Sequence, residues 1–256
     1  MKSPFLLLTI AMFFLLGTNA AATASPSAAE LFEEVETQFN RLNTLSYQAK
    51  RTASSQKQRS EDQWQFRYSK PDMTRIDYHV PEERILFFDG ATLVEYLPNA
   101  KKALRTNIFA LSGEQRNATL QGTFERIAIP GLRLGAYEEM SQRASSVKAV
   151  RWEGVDAFLV EGANPRYLVY IDPKRRVLLR TELYDKSGKR VLRADAFDFM
   201  EVRRDFWFPK EIKSTFGTPT GFLSTSVKFS GIKADEPIGA DIFRFHAPTG
   251  VIVINP

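Results

Sequence analysis

The sequence predicts a mainly β protein with a few helices, in which one continuous antiparallel sheet is strongly curved or nearly closed and carries helices on one side. Short segments with a period of two recur along the chain, as half-buried strands do. Turn-forming residues separate them, among them Asp89-Gly90, a strong signal for a two-residue hairpin. Helical periodicity is confined to residues 27–45 and to one excursion in the middle of the chain. Because no internal repeat and no linker is present, we predict a single domain over residues 25–256.

Residues 1–24 predict a secretory signal peptide: Lys2 precedes an apolar run over residues 5–16, and small residues follow. The run is about 12 residues, whereas a membrane-spanning helix needs about 20. Ala22-Thr23-Ala24 fits the small-x-small cleavage rule, and Thr18-Asn19-Ala20 is a competing site. No Cys follows the run, which excludes acylation as a bacterial lipoprotein. We therefore expect export across the inner membrane and a soluble periplasmic protein after cleavage.

Residues 27–45 predict the first helix. Ser27 is a suitable N-cap, and Glu30 follows at the spacing of a capping box. Apolar side chains then recur at helical spacing, which predicts one buried stripe. They are Leu31, Val35, Phe39 and Leu42.

From Tyr47 onward the period becomes two, most clearly where Trp64, Phe66 and Tyr68 alternate with polar residues. Residues 54–62 are predicted to form the hairpin turn before that strand. Between residues 99 and 146 the alternation stops, and 112–126 and 136–144 are predicted as helices. The remaining predicted strands are 76–80, 85–88, 92–97, 147–152, 157–162, 167–171, 177–184, 189–199, 206–212, 215–216, 224–232 and 243–245.

The composition excludes several kinds of chemistry. Cysteine is absent, which excludes thiolate nucleophiles, Cys-ligated zinc, iron–sulfur clusters and disulfides. Neither His79 nor His246 has a Ser or a carboxylate beside it in a recognisable catalytic motif. The net charge of +5, from 35 basic and 30 acidic residues, is far below that of a nucleic-acid binder. We predict a non-enzymatic protein with no catalytic residue, metal site or cofactor and no nucleic-acid partner.

Basic residues gather at the predicted turns, and two interpretations remain open. Charged hairpin tips ordinarily keep a sheet soluble. If several lie at one end of the sheet, they can instead dock on an anionic membrane leaflet or an acidic partner. The groups are Lys101-Lys102 with Arg105, Lys174-Arg175-Arg176, Lys186 with Lys189-Arg190, and Arg203-Arg204.

The aromatic residues, 20 Phe, 8 Tyr and 3 Trp, fall mostly at alternate positions of the strands. An ordinary aromatic core explains them, and so does an apolar cavity enclosed by the curved sheet. The side chains that we predict to line such a cavity are Trp64, Phe66, Tyr68, Phe88, Phe197, Phe208 and Phe229.

Several stretches resemble the LolA family of periplasmic lipoprotein carriers and the wider group of outer-membrane lipoprotein-sorting proteins. They are residues 70–85 (KPDMTRIDYHVPEERI), 88–93, 96–98, 170–173, 184–189, 206–209 and the ending 243–251 (FRFHAPTGV). The chain departs from the family pattern in its greater length and in Ile76, where LolA has an aromatic residue.

The resemblance implies a half-open antiparallel β-barrel covered by a helical lid, with an apolar cavity that receives acyl chains. It also implies that Arg75, which matches the arginine that hydrogen-bonds the lid in LolA, gates that lid. Partners implied in the same way are an inner-membrane transporter and an outer-membrane acceptor.

We therefore expect a carrier or chaperone that binds the acyl chains of a lipid or lipoprotein for transfer between envelope membranes. The alternative is a sensor or interaction module that regulates a membrane protein and transports no lipid. A hollow filled by the protein's own side chains would favour the alternative.

Overall fold

One sheet of fourteen strands organises the part of the chain that the computed structural model describes, residues 25–55, 58–124, 136–218 and 221–255. The predicted signal peptide lies outside these residues. The strands are β1 (Thr44–Ser54), β2 (Arg59–Ser69), β3 (Met73–Val80), β4 (Arg84–Asp89), β5 (Thr92–Leu97), β6 (Lys102–Asn107), β7 (Ala144–Trp152), β8 (Val155–Gly162), β9 (Tyr167–Asp172), β10 (Val177–Tyr184), β11 (Arg190–Arg203), β12 (Phe206–Thr218), β13 (Gly221–Ala234) and β14 (Ile252–Ile254).

The strand order is β14-β6-β5-β4-β3-β2-β1-β13-β12-β11-β10-β9-β8-β7. Neighbours run antiparallel except β14, which pairs with β6 in parallel. The sheet does not close, so β14 and β7 are its two edges. The predicted fold class, a mainly β protein built on one open, curved antiparallel sheet, is confirmed.

Three helices accompany the sheet in the described residues: α1 (Ala28–Asn40), α2 (Gly113–Phe124) and α3 (Ala136–Gln142). The predicted capping box is confirmed, because the Ser27 hydroxyl accepts from the Glu30 amide while the Glu30 carboxylate accepts from the Ser27 amide. The helix ends at Asn40, before the predicted end at residue 45, because the residues from Thr44 pair with β2 and β13. The end of the second predicted helix, residues 125–126, lies outside the described residues.

The sheet buries apolar side chains on both faces. On the face that we call the helix face, α1 packs over two clusters, one centred on β1, β2, β12 and β13 and the other on β8 and β9. The opposite face carries two smaller clusters, one around Phe87 and one around Leu179. Alternation along each strand assigns successive side chains to the two faces.

The structure also corrects two of the predicted elements and adds two strands that were not predicted. The predicted turn over residues 54–62 is shorter, since β1 runs to Ser54 and β2 begins at Arg59. The predicted strand 243–245 is instead the end of a 3-10 helix, Ala240–Phe243, followed by Phe245 packed on the opposite face. Strands β6 and β14 have no counterpart among the predicted elements, because most of their side chains are exposed and show no apolar alternation.

In the described part of the chain, none of the helices has both the length and the apolar character that spanning a membrane requires.

Candidate functional site

Four aromatic residues form the centre of the helix face, one from each of four adjacent strands. They are Phe66 (β2), Tyr47 (β1), Phe229 (β13) and Phe208 (β12), and we call them the aromatic cluster. The Tyr47 ring stacks on Phe66 with centroids 4.8 Å apart and contacts Phe229 at 5.3 Å and Phe208 at 5.7 Å. Each side chain is at most 5% exposed. The cluster is a continuous apolar surface across the middle of the sheet.

Helix α1 lies over the second cluster, to which its buried Leu31, Phe32 and Val35 belong, and it reaches the main cluster at its carboxyl-terminal end. Phe39 meets Phe206 edge to face, with centroids 5.6 Å apart, at one end of the helix. At the other end Phe32 stacks on Tyr137 of α3 at 5.4 Å, above the second cluster. The amphipathic helix α1 therefore covers the part of the helix face formed by β8 and β9 and borders the main cluster through Phe39.

A buried glutamine attaches α1 to the sheet. The Gln38 amide nitrogen donates to the carbonyl oxygens of Arg175, at 2.6 Å, and Arg176 in the turn between β9 and β10. Its amide oxygen accepts from the backbone N–H of Trp207, at 3.1 Å. The residue is only 3% exposed, so these bonds are shielded from water. Nothing in the apolar periodicity of the sequence indicated this anchor.

Two polar groups are buried next to the aromatic cluster without a partner. Neither the Tyr47 hydroxyl nor the Trp64 indole nitrogen has a hydrogen-bond partner among the residues that the structure describes. Burial raises the pKa of Tyr47 well above its ordinary value, and the neighbouring Trp64 indole offsets part of that rise. The apolar surface thus holds two polar groups with unused hydrogen-bonding capacity.

An acidic residue lies between α1 and α3. The Glu36 Oε1 atom is buried and has no hydrogen-bond partner in the described ranges. Burial raises the pKa of Glu36, and the carboxylates of Glu138 and Glu33 raise it further. Packing of the two helices is therefore sensitive to the protonation of this side chain.

The structure brings together some of the predicted cavity-lining residues and separates others. Four share the main cluster of the helix face, namely Trp64, Phe66, Phe208 and Phe229. Tyr68 is half-buried against the same cluster, with its hydroxyl donating to the Pro71 carbonyl at 2.9 Å. Phe88 is half-buried on β4, on the same face as Leu86.

Phe197 lies apart from these residues on the opposite face. There it lines an open groove of about 340 Å³ together with Trp152, Phe199, Arg175 and Asp195. The Lys213 ammonium lies 5.0 Å from the centre of the Phe197 ring.

Arg75 also points to the opposite face. Its guanidinium pairs with Asp77 at 2.7 Å and lies 4.8 Å from the centre of the Phe87 ring. It donates to the Ile242 carbonyl at 3.1 Å, which links β3 to the 3-10 helix near the carboxyl end. The element that Arg75 holds is thus the carboxyl-terminal segment, and α1 lies on the other face of the sheet.

Apolar side chains are exposed where the sheet ends at β14. Glu95 pairs with Leu104, and Leu104 pairs with Ile254. These three positions form a row on the helix face that crosses β5, β6 and β14 to the edge of the sheet. We call five exposed side chains here the edge strip: Leu97 (36% exposed), Leu104 (40%), Phe109 (65%), Ile252 (60%) and Ile254 (46%). The sequence prediction missed this surface because it missed β6 and β14.

No group of three or more His, Asp or Glu side chains in the described residues is arranged to hold a metal ion.

The open, curved antiparallel sheet of this chain is similar to that of solved structures that include a LolA superfamily protein, so the predicted likeness is confirmed at the level of fold. No protein-family model and no curated protein sequence matches the chain.

Three solved structures are similar. A DUF1329 family protein from Desulfovibrio piger superposes with a TM-score of 0.59 at 13% identity, over 85% of this chain and 95% of that one. A domain described as an outer membrane lipoprotein-sorting protein from Vibrio parahaemolyticus gives 0.55 at 15% identity, over 85% and 97%. A LolA superfamily protein from Nitrosomonas europaea gives 0.53 at 13% identity, over 86% and 99%. These likenesses establish the fold.

Proposed function

We propose that this protein is a periplasmic carrier that binds acyl chains of a lipid or lipoprotein on the helix face of its sheet and transfers them between envelope membranes. The observation that carries the proposal is the aromatic cluster, an apolar surface across four strands that α1 borders at Phe39. A protein described as an outer membrane lipoprotein-sorting domain shares the fold. The predicted signal peptide supports the periplasmic location.

The mechanism of binding is burial of hydrocarbon. Each methylene moved from water to the apolar surface contributes about 0.8 kcal/mol. The rings of the aromatic cluster already touch one another, and Phe39 of α1 packs against Phe206 at the edge of the same apolar cluster, so we propose that an acyl chain enters there by displacing α1. The apolar contacts of α1 then compete with those of the chain, which keeps the affinity moderate and allows the ligand to be handed on.

In this proposal the acyl chain contacts four of the predicted lining residues, Trp64, Phe66, Phe208 and Phe229, with Tyr68 and Phe88 at the border. The unpartnered donors of Tyr47 and Trp64 offer hydrogen bonds to an ester or carboxyl oxygen. Phe197 has no part in this site because it lies on the opposite face.

We propose a gating role for Arg75 through the bond to Ile242 rather than through α1. Release of that bond frees the segment that packs Phe245 against Phe87. An Arg75→Gln variant is expected to bind an acyl probe faster than the parent protein if this segment controls access, and at the same rate if it does not. An inner-membrane donor and an outer-membrane acceptor complete the proposed cycle as partners.

A second candidate function follows from the filled space beneath α1. The aromatic cluster is packed ring against ring and is almost completely buried, as expected for a module that carries no lipid and binds a membrane protein. The two candidates differ in whether α1 leaves the sheet when lipid is offered.

Electron paramagnetic resonance tests that difference, because the cysteine-free chain accepts spin labels at chosen sites. Glu34→Cys on α1 and Lys228→Cys on β13 are both exposed positions. The carrier predicts that a fatty acid lengthens the distance between the labels and is retained in native mass spectrometry. An unchanged distance with no retained fatty acid refutes the carrier and leaves the interaction module.

A further inference from the structure

The edge strip is the main exposed apolar surface of the described residues. Seven large apolar side chains in these ranges are strongly exposed, and five of them form the edge strip. The other two, Phe216 and Phe222, lie at the hairpin tip between β12 and β13. Apolar side chains concentrated in this way mark a surface that contacts something apolar.

Strand pairing places four of the five side chains on one face. Ile252 pairs with Lys102 and Ile254 pairs with Leu104, while the intervening Val253 packs on the opposite face. Leu97 pairs with Lys102 on the other side of β6. The four side chains therefore project together from the last three strands of the sheet.

The same surface is basic. Lys101, Lys102 and Arg105 are exposed and lie within or beside β6. The segment 96–113 contains these three cations and no Asp or Glu, and residues 247–256 carry no charge. Among the described side chains, none of the three cations has a carboxylate within ion-pair distance. Arg105 pairs with Val94 and points to the opposite face, so the strip joins exposed hydrocarbon to the two cations Lys101 and Lys102.

We propose that the edge strip docks the protein on the surface of a bilayer that contains anionic phospholipid. Leu97, Leu104, Ile252 and Ile254 enter the boundary between headgroups and acyl chains, and Lys101 and Lys102 meet the phosphates. At that depth water and phosphate oxygens satisfy the unpaired backbone of the β14 edge, which the hydrocarbon core cannot do. A second copy of the chain is a poorer occupant, because the two strips would bring like charges together.

The docking proposal rests on the proposed carrier function, since a carrier must meet a membrane to load and to release a lipid. It also places the docking surface beside the helix face. The row from Ile254 through Leu104 and Glu95 reaches Leu86, which belongs to the main cluster of the helix face. An acyl chain leaving the bilayer at the edge strip meets this row first.

Vesicle co-sedimentation tests the docking surface with residues 25–256, the chain expected after signal-peptide cleavage, because the apolar run at residues 5–16 would itself bind vesicles. Phosphatidylcholine vesicles with and without phosphatidylglycerol are the probes, at low and high salt. The charge variant is Lys101→Gln with Lys102→Gln, and its matched control removes two exposed cations elsewhere, Lys186→Gln and Lys189→Gln. The apolar variant is Ile252→Ser with Ile254→Ser, and its control is Phe222→Ser at the other exposed apolar site.

We expect the parent protein to bind the anionic vesicles and to dissociate as salt rises. Each cation near an anionic surface strengthens binding about fivefold, so the charge variant should bind about 25-fold more weakly. The apolar variant should lose about tenfold, and both controls should bind as the parent does. Circular dichroism checks that each variant is folded.

Three results would overturn the proposal. The first is that the parent protein does not bind anionic vesicles, and the second is that the strip variants and their controls lose binding equally. The third is a dimer in the ultracentrifuge that the apolar variant abolishes while its vesicle binding persists. Binding of a soluble fatty-acid probe is measured on the same variants. Retained probe binding with lost vesicle binding supports docking, whereas absent probe binding with intact vesicle binding rejects the carrier function and leaves docking standing.

Discussion

Replacement of Gln38 by Met tests whether one polar anchor holds α1 on the sheet. Methionine keeps the length of the side chain and loses all three hydrogen bonds. Two carbonyls, of Arg175 and Arg176, and the N–H of Trp207 are then left without their partner in a place that is shielded from water. Each such loss costs about 1 kcal/mol, so the free energy of unfolding should decrease by about 3 kcal/mol.

The assay combines urea unfolding with hydrogen exchange of α1 and titration with a fluorescent fatty acid. If Gln38 is the anchor, the variant should lose protection in α1 before the strands do and should bind the fatty acid more tightly, because less work is needed to lift the helix. Gln48→Met is the matched control. Gln48 is exposed on β1, so its replacement should change the stability by less than about 0.5 kcal/mol.

Two outcomes would refute the reasoning. An unfolding midpoint equal to that of Gln48→Met would show that the three bonds contribute nothing to stability. A large loss of stability with unchanged exchange in α1 and unchanged fatty-acid affinity would show that Gln38 supports the turn between β9 and β10 and does not restrain the helix.

The remaining predictions concern the core and its polar groups. Phe208→Ala should destabilise the protein by about 3–5 kcal/mol in urea unfolding, because it empties the centre of the aromatic cluster, whereas the exposed Phe222→Ala should have little effect. Tyr47→Phe removes an unpartnered buried hydroxyl, so the lipid-free protein should be unchanged or more stable by up to about 1 kcal/mol, and its affinity for a fatty acid should fall; a clear destabilisation would show that the hydroxyl has a partner. Because the native state binds the proton of Glu36 more tightly than the unfolded chain, the free energy of unfolding should decrease as pH rises from the ordinary carboxyl pKa of 4.5 through the raised native value. Glu36→Gln should remove that decrease, the exposed Glu34→Gln should retain it, and equal pH profiles for the two variants would count against this assignment.

Local patterns predicted most of the elements correctly. The capping box at Ser27 and the alternation around Trp64, Phe66 and Tyr68 depend on neighbouring residues alone, and the structure shows both. Strands without an apolar alternation were not predicted. The side chains of Leu104 and Ile254 are exposed, so β6 and β14 exist through backbone pairing that depends on the rest of the sheet.

The sequence predicted only some residues of the candidate site, for a related reason. The face to which a strand side chain points depends on register and bulges, which shift between Ser46 and Gln48 in β1 and between Leu178 and Arg180 in β10. Phe208 and Phe229 were predicted together and lie together, whereas Phe197 lies on the other face. The partners of Gln38 are more than one hundred residues away in the chain, so no local pattern contains them.

The sequence by itself determined the β-rich class, the capped first helix, the aromatic positions and the absence of thiol chemistry, since each depends on composition or on residues close in the chain. The tertiary structure alone decided that α1 covers the second cluster and borders the aromatic cluster, that Arg75 holds the carboxyl-terminal segment, and that Leu97, Leu104, Ile252 and Ile254 share an exposed edge with Lys102. These features arise from the pairing of strands distant in sequence, and only the folded sheet fixes that pairing.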